Sequence, residues 1–241
     1  MDLNIEAQEP FADPAFGPDD MSVRVIGQLG QSLDGRIATP SGDSKYISGS
    51  HALDHLHRLR AAADAVVVGV GTLLADDPLL NVRRVPGRAP ARVVIDPTGR
   101  AATAHRWLAS DGAACLVVRR AGCAAPPPPG AQSLDLPAEG DGMIAPAVIL
   151  DALAARGLRR ILLEGGPRTL GAFVDAGCVD RLHVVVSPVI LGSGRTGLHL
   201  RPIAMLTAAL RPATRVTVFP DGDVLFDCDL RRSGSDPVES T

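Results

Sequence analysis

A strand-to-helix turn at residues 161–170 constrains the fold more than any other stretch of the sequence. Residues 161–163 form a continuous apolar run, which is typical of a short strand buried on both faces of a sheet. Glu164 and two glycines follow, and Pro167 then begins an apolar pattern at helical spacing. Proline suits the first position of a helix, because its missing N–H loses no hydrogen bond there. The stretch therefore predicts a strand, a glycine turn and a helix, which is the repeating unit of α/β proteins.

The same turn is a candidate anion site. The first N–H groups of a helix have no partner within the helix and bind phosphate groups well. Because Gly165 and Gly166 lack a Cβ, a diphosphate would be able to approach their backbone. Glu164 falls at the carboxyl end of the strand, where α/β sheets bind their ligands. A tight turn without any ligand explains the Gly-Gly-Pro sequence equally well, so this motif alone leaves both interpretations open.

The rest of the chain alternates in the same way. Apolar runs predict strands, and apolar residues at helical spacing predict helices. One example of that spacing is the stripe Leu53, Leu56, Leu59 and Ala63. A short helical segment is also expected to end at Ala75. The strands are expected at 23–29, 65–68, 92–95, 114–118, 161–163, 181–186, 215–219 and 224–229, and the helices at 51–63, 146–157 and 167–177. Asp221-Gly222 separates the last two strands and is a hairpin signal. The fold class is therefore α/β, with a mostly parallel sheet flanked by helices and an antiparallel C-terminal hairpin.

Composition indicates a soluble globular protein with one folded domain. Residues 1–21 are expected to be a disordered leader, 22–230 a single domain and 231–241 a disordered tail, with the proline-rich stretch 122–131 as a loop inside the domain. A net charge of −3 and 3% aromatic residues argue against a nucleic-acid partner. No apolar run is long enough to span a membrane, and the N-terminus lacks a secretory signal. The scattered cysteines predict reduced thiols in a cytoplasmic protein.

Three motifs stand in order along the chain. They are Ser32-Leu33-Asp34-Gly35-Arg36, Ala75-Asp76-Asp77-Pro78-x-Leu80-x-x-Arg83 and Glu164-Gly165-Gly166-Pro167-x-x-Leu170. As an ordered set they resemble the pyrimidine reductase domain of riboflavin biosynthesis, which has a dihydrofolate-reductase-like fold, over about residues 22–230. Bifunctional members of that family carry a zinc deaminase domain in front, with an H-x-E and a P-C-x-x-C motif. Those motifs are missing here, so the resemblance predicts a stand-alone reductase.

The resemblance implies a reaction and a site. Members of the family use NADPH to reduce a ribosylamino-pyrimidine 5′-phosphate to the ribitylamino form, and they are usually homodimers. The cofactor-binding residues implied by motif position are Gly30, Tyr46, Thr72, Asp76, Gly166, Pro167, Arg168, Thr169, Leu170 and Gly171. The implied substrate-binding residues are Ser44, Arg60, Leu80, Arg83 and Glu164, with the two arginines on the phosphate. Asp76 and Glu164 are the acids expected near the reacting atoms, and neither is singled out as the proton donor.

Several of these residues have a simpler structural interpretation. Arg60 fits a solvated helix face, and the Asp76-Asp77 pair fits the end of a helix. Asp34 is expected to form a turn rather than to act in catalysis. His51 and His55 have a spacing that can bind metal, but a third ligand is not evident, so we expect no metal site. Four residues follow strand ends where an NADPH 2′-phosphate would fit, but they are more simply explained as surface residues: Arg119, Arg120, Pro97 and Thr98.

Two other functions stay open from the sequence. One is an NADPH-dependent reductase of the same fold that acts on another heterocycle, such as a pterin, since function depends on the site rather than the fold. The other is a nucleotide-binding protein without catalytic activity. The choice between an already deaminated pyrimidine and one that is not also stays open.

Overall fold

A nine-stranded sheet organises the part of the chain that the computed structural model describes, residues 16–17, 21–45, 47–101, 105–109 and 111–231. Numbered along the chain, the strands are β1 (Arg24–Ser32), β2 (Arg36–Ala38), β3 (Ala65–Gly69), β4 (Ala91–Ile95), β5 (Cys115–Arg120), β6 (Gln132–Leu136), β7 (Arg160–Leu163), β8 (Arg181–Ser187), β9 (Arg195–Thr196), β10 (Ala213–Val218) and β11 (Val224–Asp229). The large sheet has the order β10-β11-β8-β1-β7-β3-β4-β5-β6, and β2 pairs with β9 in a separate small sheet.

The strands from β8 to β6 are parallel, and the C-terminal hairpin is added at one edge. β1 lies between β7 and β8 and pairs parallel with both. β11 pairs antiparallel with β8 and with β10. All five residues of β3 and of β4 are buried, because these central strands are covered on both faces. The parallel arrangement brings the carboxyl ends of the central strands to one edge of the sheet.

Four helices connect the strands within the described residues. They are α1 (Ser50–Ala62), α2 (Val70–Asp76), α3 (Pro146–Ala154) and α4 (Pro167–Asp175). α3 and α4 each begin with the predicted proline. One apolar cluster joins α3 and α4 to the sheet, and a second joins α1 and α2 to it, so the core consists of two layers of mainly aliphatic side chains. Among the described helices, none has the length and apolar character needed to cross a membrane.

The predicted fold class is confirmed, but two details differ from the expectation. β6 and the small β2–β9 sheet were not predicted. The apolar stripe expected on α1 is only partly right, since Leu53 is exposed and the buried positions include His55, His57 and Arg60. The proline-rich stretch connects β5 to β6, which pair directly. Most residues of the predicted disordered leader and tail lie outside the described ranges. Phe16 of the leader is described, and it is buried in the cluster with α1 and α2.

Candidate active site

A cleft of about 1080 Å³ opens at the carboxyl ends of the central parallel strands. The residues that follow β1, β3, β4 and β7 line it, as expected for ligand sites in α/β sheets. Its volume lies at the upper end of the range for small-molecule pockets, so it has room for an extended ligand. Both polar and apolar side chains line the cleft, and the turns that begin α2 and α4 contribute Thr72, Glu164, Arg168 and Thr169 to the polar ones.

The glycines of these turns bring the starts of α2 and α4 close together. A Cβ on Gly69 would lie 2.2 Å from the Thr169 Oγ1 atom, and one on Gly166 would lie 2.8 Å from the Thr72 Oγ1 atom. A Cβ on Gly165 would lie 2.9 Å from the Thr169 Cβ. Threonine side chains therefore fill the space that a Cβ on these glycines would need. The missing Cβ atoms let the two helix starts pack closely and leave the backbone of the turns exposed. No side chain caps α4 among the described residues.

The two adjacent acids after α2 have different surroundings. Asp76 lines the cleft, and loss of solvation raises the pKa of its carboxyl, while the positive charge of Arg195 opposes that rise. Asp77 ends the helix in the left-handed region, with φ of 39°, and its carboxylate accepts a hydrogen bond of 2.9 Å from the Arg106 N–H. Leu80 is also left-handed, with φ of 53°, and is buried beside the cleft. Asp76 is thus the acid available to a ligand, and Asp77 fixes the local chain.

Glu164 and Arg60 form a buried ion pair at the cleft wall. The Arg60 Nε and Nη2 atoms donate to the two Glu164 carboxylate oxygens at 2.7 and 2.6 Å, and Nη1 donates to the Asn81 carbonyl at 3.0 Å. The two side chains are 7% and 10% exposed. The Glu164 charge raises the pKa of Arg60 against the opposing effect of burial. The guanidinium of Arg60 is thus held by Glu164 and the Asn81 carbonyl, and its contact with the substrate phosphate stays a prediction.

Arg83 is the more available of the two predicted phosphate ligands. It is exposed, and its Nη1 atom donates to the Asn81 side-chain oxygen at 2.9 Å. Desolvation, followed by the positive charges of Arg60, Arg106 and Arg84, lowers the pKa of Arg83. A cluster of guanidinium groups that repel one another in this way favours a bound anion.

The structure brings most of the predicted site residues together. The predicted residues that line the cleft are Gly30, Thr72, Asp76, Leu80, Glu164, Gly166, Pro167, Arg168 and Thr169. Ser44, Arg60 and Arg83 do not line it, although Arg60 contacts Glu164. Tyr46 lies outside the described residues.

Two predicted cofactor residues belong to the core rather than to the cleft. Leu170 is fully buried in the apolar cluster under α4, and its N–H donates within the helix to the Gly166 carbonyl. A Cβ on Gly171 would lie 1.9 Å from the His199 carbonyl oxygen, so this glycine permits a close backbone contact. The first turn of α4 therefore lines the cleft, whereas these two residues pack behind it, and the cofactor contacts of all of them stay predictions.

Other predicted residues have structural roles. The Asp34 carboxylate accepts hydrogen bonds from the Leu191 and Gly192 N–H groups at 3.1 and 2.7 Å, which fits the turn interpretation. His51 contacts Asp221, whereas the buried His55 contacts His183. Within the described ranges there is no group of three or more His, Cys, Asp or Glu residues placed to hold a metal ion.

The far end of the cleft contains residues that the motifs did not identify. Arg120 lines the cleft beside Pro97, Thr98 and Arg100, whereas Arg119 is buried and donates to Ser133 and Asp135. Among the candidates for a 2′-phosphate contact, Arg120 is therefore the better placed arginine. Every residue of β5 except the last, Arg120, is buried, so apolar alternation along this strand does not separate Arg120 from Arg119, and only the structure does.

The donor set of the cleft fits a phosphorylated dinucleotide. An uncapped helix N-terminus, the Thr72 and Thr169 hydroxyls and Arg168 supply donors for a diphosphate. Arg100 and Arg120 supply positive charge at the opposite end. The residues present therefore fit a nicotinamide dinucleotide.

Comparison with known proteins identifies a family for this chain. Residues 23–216 match the RibD C-terminal domain. An archaeal protein of Methanothermobacter thermautotrophicus named 2,5-diamino-6-ribosylamino-4(3H)-pyrimidinone 5′-phosphate reductase is 36% identical over 175 residues, 70% of this chain and 79% of that protein. The riboflavin biosynthesis protein RibD of Mycobacterium tuberculosis is 35% identical over 191 residues, 78% of this chain but 48% of its own length. The chain thus spans about half of that RibD protein.

Solved structures agree with this relationship. A Thermotoga maritima deaminase and 5-amino-6-(5-phosphoribosylamino)uracil reductase superposes with a TM-score of 0.73 and 27% identity, covering 87% of this chain and 57% of that one. The Saccharomyces cerevisiae riboflavin biosynthesis reductase Rib7 has the same fold, with a TM-score of 0.66 and 19% identity over 88% of this chain and 92% of that one. The sequence motifs, the sheet order and the family match agree, and the chain belongs to the RibD C-terminal domain family.

Proposed function

We propose that this protein reduces a ribosylamino-pyrimidine 5′-phosphate to its ribitylamino form with NADPH, as a step of riboflavin biosynthesis. The observation that carries the proposal is the position of Glu164, which lies between an uncapped helix N-terminus that suits a diphosphate and an arginine cluster that suits a phosphate. Relatives of which this chain covers most of the length carry the name of this reductase.

The cofactor would lie along the carboxyl edge of the sheet. When bound, NADPH supplies the hydride for the reaction. The first turn of α4, with Thr72 and Thr169, would bind the diphosphate, and Gly30 at the end of β1 would line the reactive end. Arg100 and Arg120 would hold the 2′-phosphate, which predicts a preference for NADPH over NADH.

The substrate would occupy the end of the cleft near Glu164. Arg60 holds the Glu164 carboxylate in a fixed orientation, so that its oxygens can accept hydrogen bonds from the ring or the ribose of the substrate. Arg83 would bind the 5′-phosphate, since a phosphate relieves the repulsion among the neighbouring guanidinium groups.

Reduction requires a proton as well as a hydride. In the opened sugar, the carbon–nitrogen double bond at C1′ becomes a single bond when carbon accepts the hydride and nitrogen accepts a proton. Asp76 lines the cleft and has a raised pKa, so it is better suited than an ordinary surface carboxylate to hold that proton, directly or through a water molecule. Alignment of the two ligands would supply much of the remaining rate enhancement.

We further propose a cytoplasmic homodimer that pairs through the edge of the sheet at β10. The strand is largely exposed, and large apolar side chains lie exposed on it and on the preceding segment, including Met205, Leu206, Leu210 and Val216. An exposed edge strand beside apolar surface favours pairing with a second copy. The free cysteines agree with a reducing compartment.

The proposal is tested by following NADPH oxidation with the phosphorylated pyrimidine and with its dephosphorylated form. We expect turnover of the phosphorylated compound and a loss of about 1.5–3 kcal/mol in its binding on Arg83→Ala, because a hydrogen bond to a charged phosphate is removed. The dephosphorylated compound should bind weakly to both proteins. Binding of NADPH without turnover of either compound would contradict the proposed substrate, and equal use of both compounds by both proteins would favour another heterocycle.

A further inference from the structure

The glycine-rich segment 191–199, which we call the strap, forms part of the cleft wall. Gly194, Arg195, Thr196 and His199 line the cleft. One end of the strap is fixed by the Asp34 carboxylate, which accepts hydrogen bonds from the first two N–H groups of the strap. The Ser32 hydroxyl donates to the same carboxylate at 2.6 Å, so the anchor is itself held by the end of β1.

The other end of the strap is tied to the first turn of α4. The His199 N–H donates to the Pro167 carbonyl at 3.3 Å, and the His199 carbonyl packs closely against Gly171. Between the two ends, β9 pairs with β2, and a Cβ on Gly194 would lie 2.2 Å from the Ala38 carbonyl oxygen. The path of the strap is therefore fixed at both ends and in the middle.

Arg195 is the charged residue that the strap presents to the cleft. Its guanidinium passes over Gly42, where a Cβ would lie 3.4 Å from the Nη2 atom. Its charge acts on Asp76 across the cleft. The Arg195 side chain makes no hydrogen bond or ion pair with any residue in the described ranges. In this respect it differs from Arg60 and Arg119, whose guanidinium groups are held by neighbouring groups.

We propose that Arg195 binds the diphosphate of the dinucleotide, with Asp34 as the positioning residue that fixes the strap. The inference rests on the proposed function, since it assumes that a nicotinamide dinucleotide occupies the cleft. Because the strap is tied to the first turn of α4, Arg195 and the first residues of that helix line the same cleft, and one diphosphate would be able to contact both. A guanidinium and backbone N–H groups together match the oxygens of a diphosphate.

The test measures dissociation constants of NADPH and NADH by the fluorescence of the nicotinamide. The variants are Arg195→Gln, which removes the charge, Arg195→Lys, which keeps it, and Arg201→Gln as a control at a 77% exposed arginine outside the cleft. Both dinucleotides carry the diphosphate, so Arg195→Gln should weaken both by the same factor of about tenfold or more. Arg195→Lys should lose less, and Arg201→Gln should bind like the unmodified protein.

The role of Asp34 is tested by a double-mutant cycle. Asp34→Asn should weaken both dinucleotides in the unmodified protein and have little further effect once Arg195 is glutamine, because it acts through Arg195. A purely structural role would weaken binding equally in both backgrounds and would overturn this part of the proposal. Thermal melting confirms that each variant is folded.

Three further results separate the possible failures. Unchanged affinities in Arg195→Gln would overturn the proposal while leaving the proposed function intact. A loss for NADPH alone would also overturn it, because that pattern assigns Arg195 to the 2′-phosphate. If the unmodified protein binds neither dinucleotide, the proposed function itself fails, and the inference fails with it.

Discussion

The buried pair of Arg60 and Glu164 predicts a large loss of stability when one partner is neutralised. Glu164→Gln keeps the size of the side chain and one oxygen for Arg60, but it removes the charge. Arg60 is 5% exposed, so its charge would then be buried with only hydrogen bonds to compensate it. Breaking buried ion pairs costs about 3–5 kcal/mol. Because one acceptor oxygen is kept, we expect the lower value, about 3 kcal/mol in the free energy of unfolding.

The measurement is urea denaturation at neutral pH, with the melting temperature as a second readout. For a protein of this size, the expected loss corresponds to a decrease of about 6–12 °C. Asp54→Asn is a matched control, because it breaks the Arg84–Asp54 pair, whose side chains are 33% and 30% exposed. An exposed pair should cost less than about 1 kcal/mol.

A second variant separates loss of the pair from loss of packing. In the double variant Arg60→Met and Glu164→Leu, both charges are absent, so we expect most of the stability to return. The reasoning is refuted if Glu164→Gln costs no more than Asp54→Asn, or if the double variant is less stable than Glu164→Gln. Either result would mean that the pair is solvated or that its geometry contributes little.

The remaining predictions concern pH and assembly. Burial, with the neighbouring His183 charge, lowers the pKa of His55 to about 3, so the folded protein binds fewer protons than the unfolded chain below about pH 6.5. The contribution of His55 to the free energy of unfolding should therefore be present in full above about pH 6.5 and be lost toward about pH 4, by up to about 1.4 kcal/mol per pH unit. Chemical denaturation at a series of pH values measures this slope. His55→Asn should reduce the slope, and an unchanged slope would contradict this assignment. If β10 pairs two copies, light scattering should give a dimer, and Val216→Lys should shift it toward monomer; a monomeric unmodified protein would contradict the pairing.

Most of the sheet is predictable because its central strands contain continuous apolar runs. β3 and β7 are apolar runs, and their burial on both faces is the physical reason for that composition. Asp221-Gly222 likewise marks the hairpin turn, where Gly222 has φ of 90°. β6 was missed because it is an edge strand with the sequence Gln-Ser-Leu-Asp-Leu, of which only the two leucines are buried.

The site is less predictable because its polar residues depend on partners far along the chain. On α1, apolar periodicity cannot reveal that Arg60 is buried, since its burial requires Glu164, 104 residues away. The same holds for His55, whose contact with His183 spans 128 residues. The strap has no apolar periodicity, and its contribution to the cleft follows only from its contacts with Asp34 and Pro167.

The most direct test of the account follows the hydride itself. Purified protein would be incubated with the ribosylamino-pyrimidine 5′-phosphate and with NADPH that carries deuterium at the transferred position of C4, and the product would be examined by NMR and mass spectrometry. The account predicts one deuterium at C1′ of a ribitylamino product that keeps its phosphate and its aromatic pyrimidine. Deuterium in the pyrimidine ring, or oxidation of NADPH without deuterium in the sugar chain, would contradict it.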